Sequence, residues 1–232
     1  MTTVVISQPM FFPWPGFLEQ LKAADVYVHY DDVAFSKGSF TNRVQLKTAS
    51  GIKWLTVPLE NAHLGTLIKD VRVDSRRDWR RSHLDLLKQA YRGATAMLDV
   101  VERVYALQTP WLCELAVASM NALASVFGVR PRRELSASEL NVPGQGTARV
   151  LAIVRRLGGT RYVSGAGGRA YLDHAAFDAA GIAVEYLSYA KREYPQRHGA
   201  FTPYVSALDL LACRGPASDL FTSHTVPWKE TA

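Results

Sequence analysis

Two stretches of this 232-residue chain concentrate residue types that can do chemistry. The first is Gln8-Pro9-Met10-Phe11-Phe12-Pro13-Trp14-Pro15-Gly16-Phe17, where three prolines hold the backbone and Trp14 and the phenylalanines offer flat apolar surface to a ring. Gln8 adds an amide that both donates and accepts hydrogen bonds. The second, Asp31 to Arg43, brings Asp31, Asp32, Lys37, Asn42 and Arg43 into 13 residues. Arg43 or Lys37 suits a phosphate or carboxylate, with arginine able to grip it bidentately. Asp31 or Asp32 suits accepting a proton from an attacking amine, or holding a magnesium ion through water. Each stretch also has a plain structural alternative, with the aromatics as core and the charges as a solvated hairpin.

Three smaller features add to these. Ser164-Gly165-Ala166-Gly167-Gly168-Arg169 is a glycine-rich loop after a strand, able to turn backbone N–H groups towards an anion. It lacks the lysine-serine pair of a P-loop and the GxGxxG spacing of a dinucleotide site, and the sequence names no cofactor. His83 lies beside apolar positions of an amphipathic helix, where a hydrogen-bonded core histidine competes with a general base; His198, near Gln196, is the runner-up. Cys113, inside the apolar run WLCELAV, is a poor nucleophile, and no GxSxG elbow is present. Cys113 and Cys213 form no CxxC or Cys/His cluster, so no disulfide framework and no metal site are expected.

The elements that must position these residues follow from periodicity. Thr3-Val4-Val5-Ile6 is a β-branched run without charge on either face, which predicts a central strand. The proline-rich loop follows it, then a short helix with Phe17, Leu18, Leu21 and Ala24 on one stripe. Val26 to His29 predicts a second strand, and Val44–Lys47 with Lys53–Val57 predicts a hairpin around Ala49-Ser50-Gly51. Val71-Arg72-Val73 reads as an edge strand, and helices are expected from Asp78 to Arg92, Thr95 to Leu107 and Pro110 to Phe127. Beyond them come a strand at Glu134-Leu135-Ser136, a helix from Thr147 to Arg156, a strand at Arg161–Ser164, a helix from Leu172 to Ala180 and a last clear strand at Ile182–Leu187. The expected fold is α/β: a partly parallel sheet flanked by helices, in one domain over residues 1–232, with a helical insertion at about 78–128.

Composition sets the outer bounds. At 48% hydrophobic and 21% charged residues the chain can bury a substantial core, which excludes a disordered chain. The start MTTVVISQPMFF lacks a basic leader and a small-residue cleavage site, and no run approaches ~18 apolar residues, so a cytoplasmic protein with no membrane partner is expected. The net charge of +6, with Arg76-Arg77, Arg80-Arg81 and Arg130, Arg132 and Arg133, fits an anionic small substrate as well as a nucleic acid.

The segments QPMFFPWPGF, AADVYVHYDDVAFSKGSFTNRVQLK, KWLTVPL, YVSGAGGRAYLD, GIAVEY and YPQRHGAFTPYVSALDLLACRG, in that order, resemble the WbqC-like family over nearly the whole chain. The resemblance implies a biosynthetic role in surface-polysaccharide or specialised-metabolite assembly, with acyl or aminoacyl transfer onto an amine of a metabolite or nucleotide-linked amino sugar. By residue it points to Gln8, Pro9, Trp14 and Gly16; to Asp31, Lys37, Asn42 and Arg43; to Trp54, Thr56 and Pro58; and to His83. It continues at Ser164, Gly165, Tyr171 and Asp173, then at Tyr194, Gln196, Ser206 and Asp209. Phe12 and Phe17 stand where the family commonly has tyrosine, and Phe40 where it has tryptophan, which removes hydrogen bonds but keeps aromatic surface. The strand, turn-rich loop and helix of the opening are also similar to nucleotidylyltransferase-like folds, although Pro13-Trp14-Pro15-Gly16 carries the glycine of their His-x-Gly-His motif and neither histidine.

The resulting expectation is a transferase or condensing enzyme. Asp31, His83 and Lys37 are its catalytic candidates; Gln8, Pro9, Trp14, Asn42, Arg43, Trp54, Ser164, Gly165, Tyr171 and Gln196 are its substrate-binding candidates. An aminoacyl-tRNA-dependent transferase and a non-catalytic binding or scaffold protein are the alternatives. Candidate polar groups scattered over several places would favour the last.

Overall fold

In the computed structural model, which describes residues 1–60 and 62–231, the first strand β1 (Thr3–Ser7) is buried on both faces, as its uncharged β-branched sequence dictates. The proline-rich loop leads to α1 (Pro15–Ala23), whose Pro15 occupies a first-turn position where no N–H is needed. The chain returns through β2 (Val26–His29), then leaves the sheet for a hairpin of β3 (Arg43–Thr48) and β4 (Gly51–Thr56). Three helices follow: α2 (Trp79–Ala90), α3 (Thr95–Tyr105) and α4 (Leu112–Val126). The rest is β5 (Arg133–Ser136), α5 (Ala137–Leu140), α6 (Gly146–Arg156), β6 (Arg161–Ser164), α7 (His174–Ala179), β7 (Ala183–Ser188), α8 (Ala207–Arg214) and β8 (His224–Pro227). Side-chain caps fix three helix starts: Asp78 accepts from the Arg81 N–H, Asp173 from Ala176 and Ser206 from Leu208.

The main sheet has the order β5-β2-β1-β6-β7-β8, parallel except for β8, which runs antiparallel along the edge. The chain therefore builds outward from β1 in one direction, then returns to the other side of β1 and builds the opposite way. That reversal between β1 and β6 leaves a crevice at the carboxyl ends of the two strands, the place where open parallel sheets bind ligands. Alternate residues of β1 feed the two layers: Val5 packs with α1, the 79–126 helices and α8, while Val4 and Ile6 pack with Val150, Ile153 and Phe177 of α6 and α7.

The α/β expectation with a helical insertion holds, and the differences are local. Val71 and Val73 do not form a strand; isolated bridges join Arg72 to Trp111 and Leu59 to Val73. The helix expected from Pro110 begins at Leu112, because the Pro110 carbonyl accepts from the Val73 N–H and Trp111 is the cap. The helix expected from Thr95 to Leu107 ends at Tyr105, and the one expected from Leu172 begins at His174, where Asp173 caps it. The glycine-rich loop is wound into a 3-10 turn, Ala166–Ala170. The last strand is β8, a short edge element whose Pro227 is tolerated where no partner needs its N–H.

Candidate functional site

A cavity of about 610 Å³ fills the crevice at the strand-order reversal. Ser7 and Gln8 enter it from the end of β1, Phe17 and Gln20 from α1, and Ser164, Gly165 and Gly168 from the end of β6 and its 3-10 turn. The loop Ser39-Phe40-Thr41 forms one wall, fixed in place by the Phe11 N–H donating to the Phe40 carbonyl at 3.0 Å. Tyr30, Tyr171 and the first turn of α6 at Gly146 complete it. A Cβ added at Gly168 would overlap the Ser164 Oγ, so a larger residue there requires that side chain to shift.

The lining mixes apolar and neutral polar side chains and, among the described residues, carries no Asp, Glu, Lys, Arg or His. Two of its polar side chains belong to buried residues and keep their polar atoms open to the cavity. Gln20 is 7% exposed and Thr41 3% exposed, yet neither side chain makes a hydrogen bond to another described residue, and their polar atoms are not sealed from solvent. A buried amide and a buried hydroxyl facing a cavity with free hydrogen-bonding capacity suit a ligand that supplies the complement. The first N–H groups of the 3-10 turn at Gly165–Gly167 and of α6 at Gly146 have no intrahelical acceptor and extend this donor surface. Burial raises the Tyr171 phenol above its ordinary range, so it stays neutral at pH 7.

Of the residues singled out from sequence, Gln8, Pro9, Ser164, Gly165 and Tyr171 meet in this crevice. The catalytic candidates do not. Both carboxylate oxygens of Asp31 are engaged by Ser138, at 3.0 Å from its N–H and 2.6 Å from its Oγ, beside a different cavity lined by Cys113 and Glu139. His83 is locked between the Tyr105 hydroxyl at 2.7 Å from Nδ1 and the Thr56 carbonyl at 3.0 Å from Nε2. A carbonyl can only accept, so Nε2 carries the proton and Nδ1 takes the tyrosine hydrogen, leaving no lone pair for a base. Burial also lowers its pKa to about 4. Lys37 lines a separate cavity of about 830 Å³ together with Asn42. The density of charge in residues 31–43 is real, but the chain turns between these residues and aims them at different neighbours.

The remaining binding candidates also divide. Trp14 packs edge-on against Tyr189 and Tyr204, with centroids 4.9 and 5.6 Å away, and so closes the start of α1. Asn42 ties the hairpin base together, donating through Nδ2 to the Val57 carbonyl at 3.1 Å while its main-chain carbonyl accepts from the Val57 N–H at 2.8 Å. Arg43 lies over the Trp54 ring at 4.2 Å. Gln196 belongs to a buried network: its Nε2 donates to the Tyr194 hydroxyl and its Oε1 accepts from Lys47, while Tyr91 and Tyr194 donate to the two oxygens of Asp209, each at 2.9 Å. Burial raises the Asp209 carboxyl above its usual range against these donors. Burial pushes the Cys113 thiol up to about 12, which removes it as a nucleophile near neutrality. The arginine clusters are partly engaged, Arg76 with Asp74, Arg81 with Asp85 and Arg130 with Glu134.

Gln20, Tyr30, Ser39 and Thr41 were not among the candidates read from sequence. Gln20 leaves a trace there, a neutral polar residue between the buried positions Leu18 and Leu21 of an amphipathic helix.

The fold and crevice define an open, mostly parallel α/β protein with a ligand-sized cavity at the switch in strand order. The chain belongs to the WbqC-like protein family, whose match extends over residues 8–219. It is 30% identical over 217 residues to the uncharacterized protein Rv1507c of Mycobacterium tuberculosis (strain ATCC 25618 / H37Rv), covering 91% of this chain and 93% of that one. No solved structure matches the chain.

Proposed function

We propose that this protein is a biosynthetic condensing enzyme. It binds an uncharged, hydroxyl- or amide-bearing ring in the switch-point crevice and aligns it for transfer of an acyl or aminoacyl group from an activated donor to an amine. The observation that carries this reading is the pair Gln20 and Thr41, buried in the crevice with unused hydrogen-bonding capacity, beside Gln8, Ser164 and Tyr171. In such a transfer the amine nitrogen bonds the acyl carbon, the bond from that carbon to its leaving group breaks, and the amine proton passes to water. A crevice lined without an ionised side chain contributes alignment, and orientation of two bound reactants alone supplies large rate gains. Among the described residues no helix is long and apolar enough to cross a membrane, in keeping with a proposed cytoplasmic site of action.

The test is a thermal-shift screen against ATP, acyl-CoAs, amino acids and nucleotide sugars, followed by mass spectrometry of donor and amine mixtures. The expected result is a concentration-dependent rise in Tm that Gln20→Leu abolishes, and a condensed product that requires the protein. A Tm rise unaffected by Gln20→Leu would place the ligand elsewhere.

A second reading, a binding protein without turnover, is favoured by the separation of Asp31, Lys37 and His83 into three places. It predicts the same Tm rise with no product from any donor and amine pair. An aminoacyl-tRNA donor would instead require RNA binding that falls steeply with salt.

A further inference from the structure

Two runs of main-chain N–H groups meet at the crevice without acceptors. In the first turn of α6 the N–H groups of Gly146, Thr147 and Ala148 make no hydrogen bond to another described residue, and neither do those of Gly165, Ala166 and Gly167 in the turn after β6. α6 is 11 residues long, its cap Gln145 makes no side-chain bond to it and its first turn holds no acidic residue, so the positive end of its dipole is left open. Gly146, Gly165 and Gly167 all line the cavity. One hydroxyl stitches the two runs together. Thr147 Oγ1 donates to the Tyr171 carbonyl at 3.2 Å and accepts from the Asp173 N–H at 3.0 Å, which fixes the end of the glycine-rich turn against the start of α6.

Side chains continue this donor surface. The Gln20 amide lies 3.6 to 3.9 Å from the position a Cβ on Gly165 would take, so a buried amide with no protein partner stands beside the first of the turn's N–H groups. Thr41, equally without a partner, brings a buried hydroxyl to the same cavity. Gly167 has no heavy atom within 4 Å of an added Cβ and does not lie in the left-handed region, so neither packing nor backbone conformation demands glycine there. A bare Cα does let a ligand atom approach the main chain closely. The carboxylates on the elements that build this corner are occupied elsewhere, Asp173 by the Ala176 N–H and Asp32 by Arg149 at 2.5 Å. An open helix end, unbonded N–H groups, an amide and a hydroxyl, with no carboxylate among the described lining residues, can hold an oxyanion without a side-chain cation.

We propose that the crevice contains a phosphate subsite between the start of α6 and the Gly165–Gly167 turn, and that the ring bound in the crevice carries this phosphate, as a nucleotide or a sugar phosphate does. The main-chain N–H groups of both runs and the Gln20 amide donate to the phosphate oxygens, and the rest of the neutral cavity takes the ring. At about 610 Å³ the cavity has the size of a small-ligand site and room for both parts. The subsite rests on the crevice reading above and adds to it the class of its ligand.

Rings with and without their phosphate test it: uridine and uridine 5′-monophosphate, adenosine and adenosine 5′-monophosphate, glucosamine and glucosamine 1-phosphate, each titrated calorimetrically into the full chain. One phosphorylated ring is expected to bind at least about tenfold more tightly than its parent, and the series that responds separates nucleotide from sugar phosphate. Amide proton–nitrogen correlation spectra of the native chain supply a readout that needs no variant: the resonances of Gly146–Ala148 and Gly165–Gly167 move downfield with the phosphorylated ring and stay in place with its parent. Gly165 has φ −70° and ψ 162°, which proline adopts, so Gly165→Pro deletes one donor with the fold kept. It is expected to weaken the phosphorylated ring about three- to tenfold and to leave the parent unchanged. Thr147→Val, which cuts the stitch, acts in the same direction, and Thr147→Ser restores the affinity. Equal affinity for a ring and its phosphate, abolished by Gln20→Leu, overturns the subsite and leaves the crevice reading standing. Phosphate-dependent binding that leaves those amide resonances in place puts the anion elsewhere and also overturns the subsite. No binding of any probe, with folding confirmed by circular dichroism, overturns it too, and a neutral ligand from the wider screen that Gln20→Leu abolishes then upholds the crevice reading alone.

Discussion

The buried polar cluster around Asp209 and the one around Gln20 use similar residue types, and they differ in whether their hydrogen bonds are made. At Asp209, which is 0% exposed, the carboxylate accepts from Tyr91 and Tyr194, and Gln196 and Lys47 tie that pair to the loop before α8. At Gln20 and Thr41 the side chains are nearly as buried but end in a cavity without protein partners. Saturated polar groups hold a fold together, because each lost bond strands its partner in the interior. Unsaturated ones add little to stability and lie ready for a ligand. The same contrast separates His83, bonded at both nitrogens, from Arg43, whose side chain makes no hydrogen bond to another described residue.

The largest effect is expected where saturation is greatest. Asp209→Ala strands two buried tyrosine hydroxyls and removes the carboxylate facing Lys47, so a loss of roughly 3–5 kcal/mol is expected in urea unfolding. Asp209→Asn, which keeps a hydrogen-bond acceptor, recovers part of it.

His83 comes next, through pH. Its folded-state pKa of about 4 lies below its ordinary 6.5, so between these values the unfolded chain binds the proton that the folded chain refuses. The contribution is present above pH 6.5 and is lost as pH falls towards 4, a span on the order of 3 kcal/mol. Unfolding free energies measured from pH 7.5 to 4.5 should show that slope, and His83→Gln should flatten it at the cost of lower stability throughout. An unchanged slope would place the proton uptake on another group.

Gly168→Ala is smaller. The new methyl meets the Ser164 Oγ and costs about 1–3 kcal/mol as overpacking, with ligand affinity falling alongside because the crevice wall shifts. Arg43→Ala should be the mildest for stability, since it removes a stacking contact of roughly 0.5–1 kcal/mol, measurable by denaturant midpoint.

How much of this was legible in the sequence follows the same division. β1, α1, β2 and the hairpin were readable because β-branched runs, prolines and apolar stripes act locally, and the charge-free β1 is the strand on which the order reverses. The crevice was half legible. Gln8, Ser164 and Gly165 lie at strand ends, where position alone marks them, and the family resemblance reached the same residues. Thr41 carries no local signal, since only the packing of the 36–42 loop against Phe11 brings it in; Tyr30 follows the end of β2, its N–H donating to the Ser7 carbonyl at 2.8 Å, and was passed over although its strand-end position is of the same kind. Asp31 and His83 misled for the converse reason. Their types announce acid–base chemistry, but Ser138 and Tyr105, 107 and 22 residues away in sequence, take up that capacity. β8 was missed because four residues with a proline at one end show no alternation, and antiparallel pairing to β7 makes them a strand.

The central claim is that the unsaturated groups of the switch-point crevice bind a ligand and do not support the fold. It is tested most directly by the double variant Gln20→Leu with Thr41→Val, compared with the native chain in one thermal-shift titration against a ligand found in the screen. The variant is expected to be as stable as the native chain or more so, with the ligand-dependent rise in Tm gone. A variant that melts several degrees lower while keeping the full ligand response would contradict it.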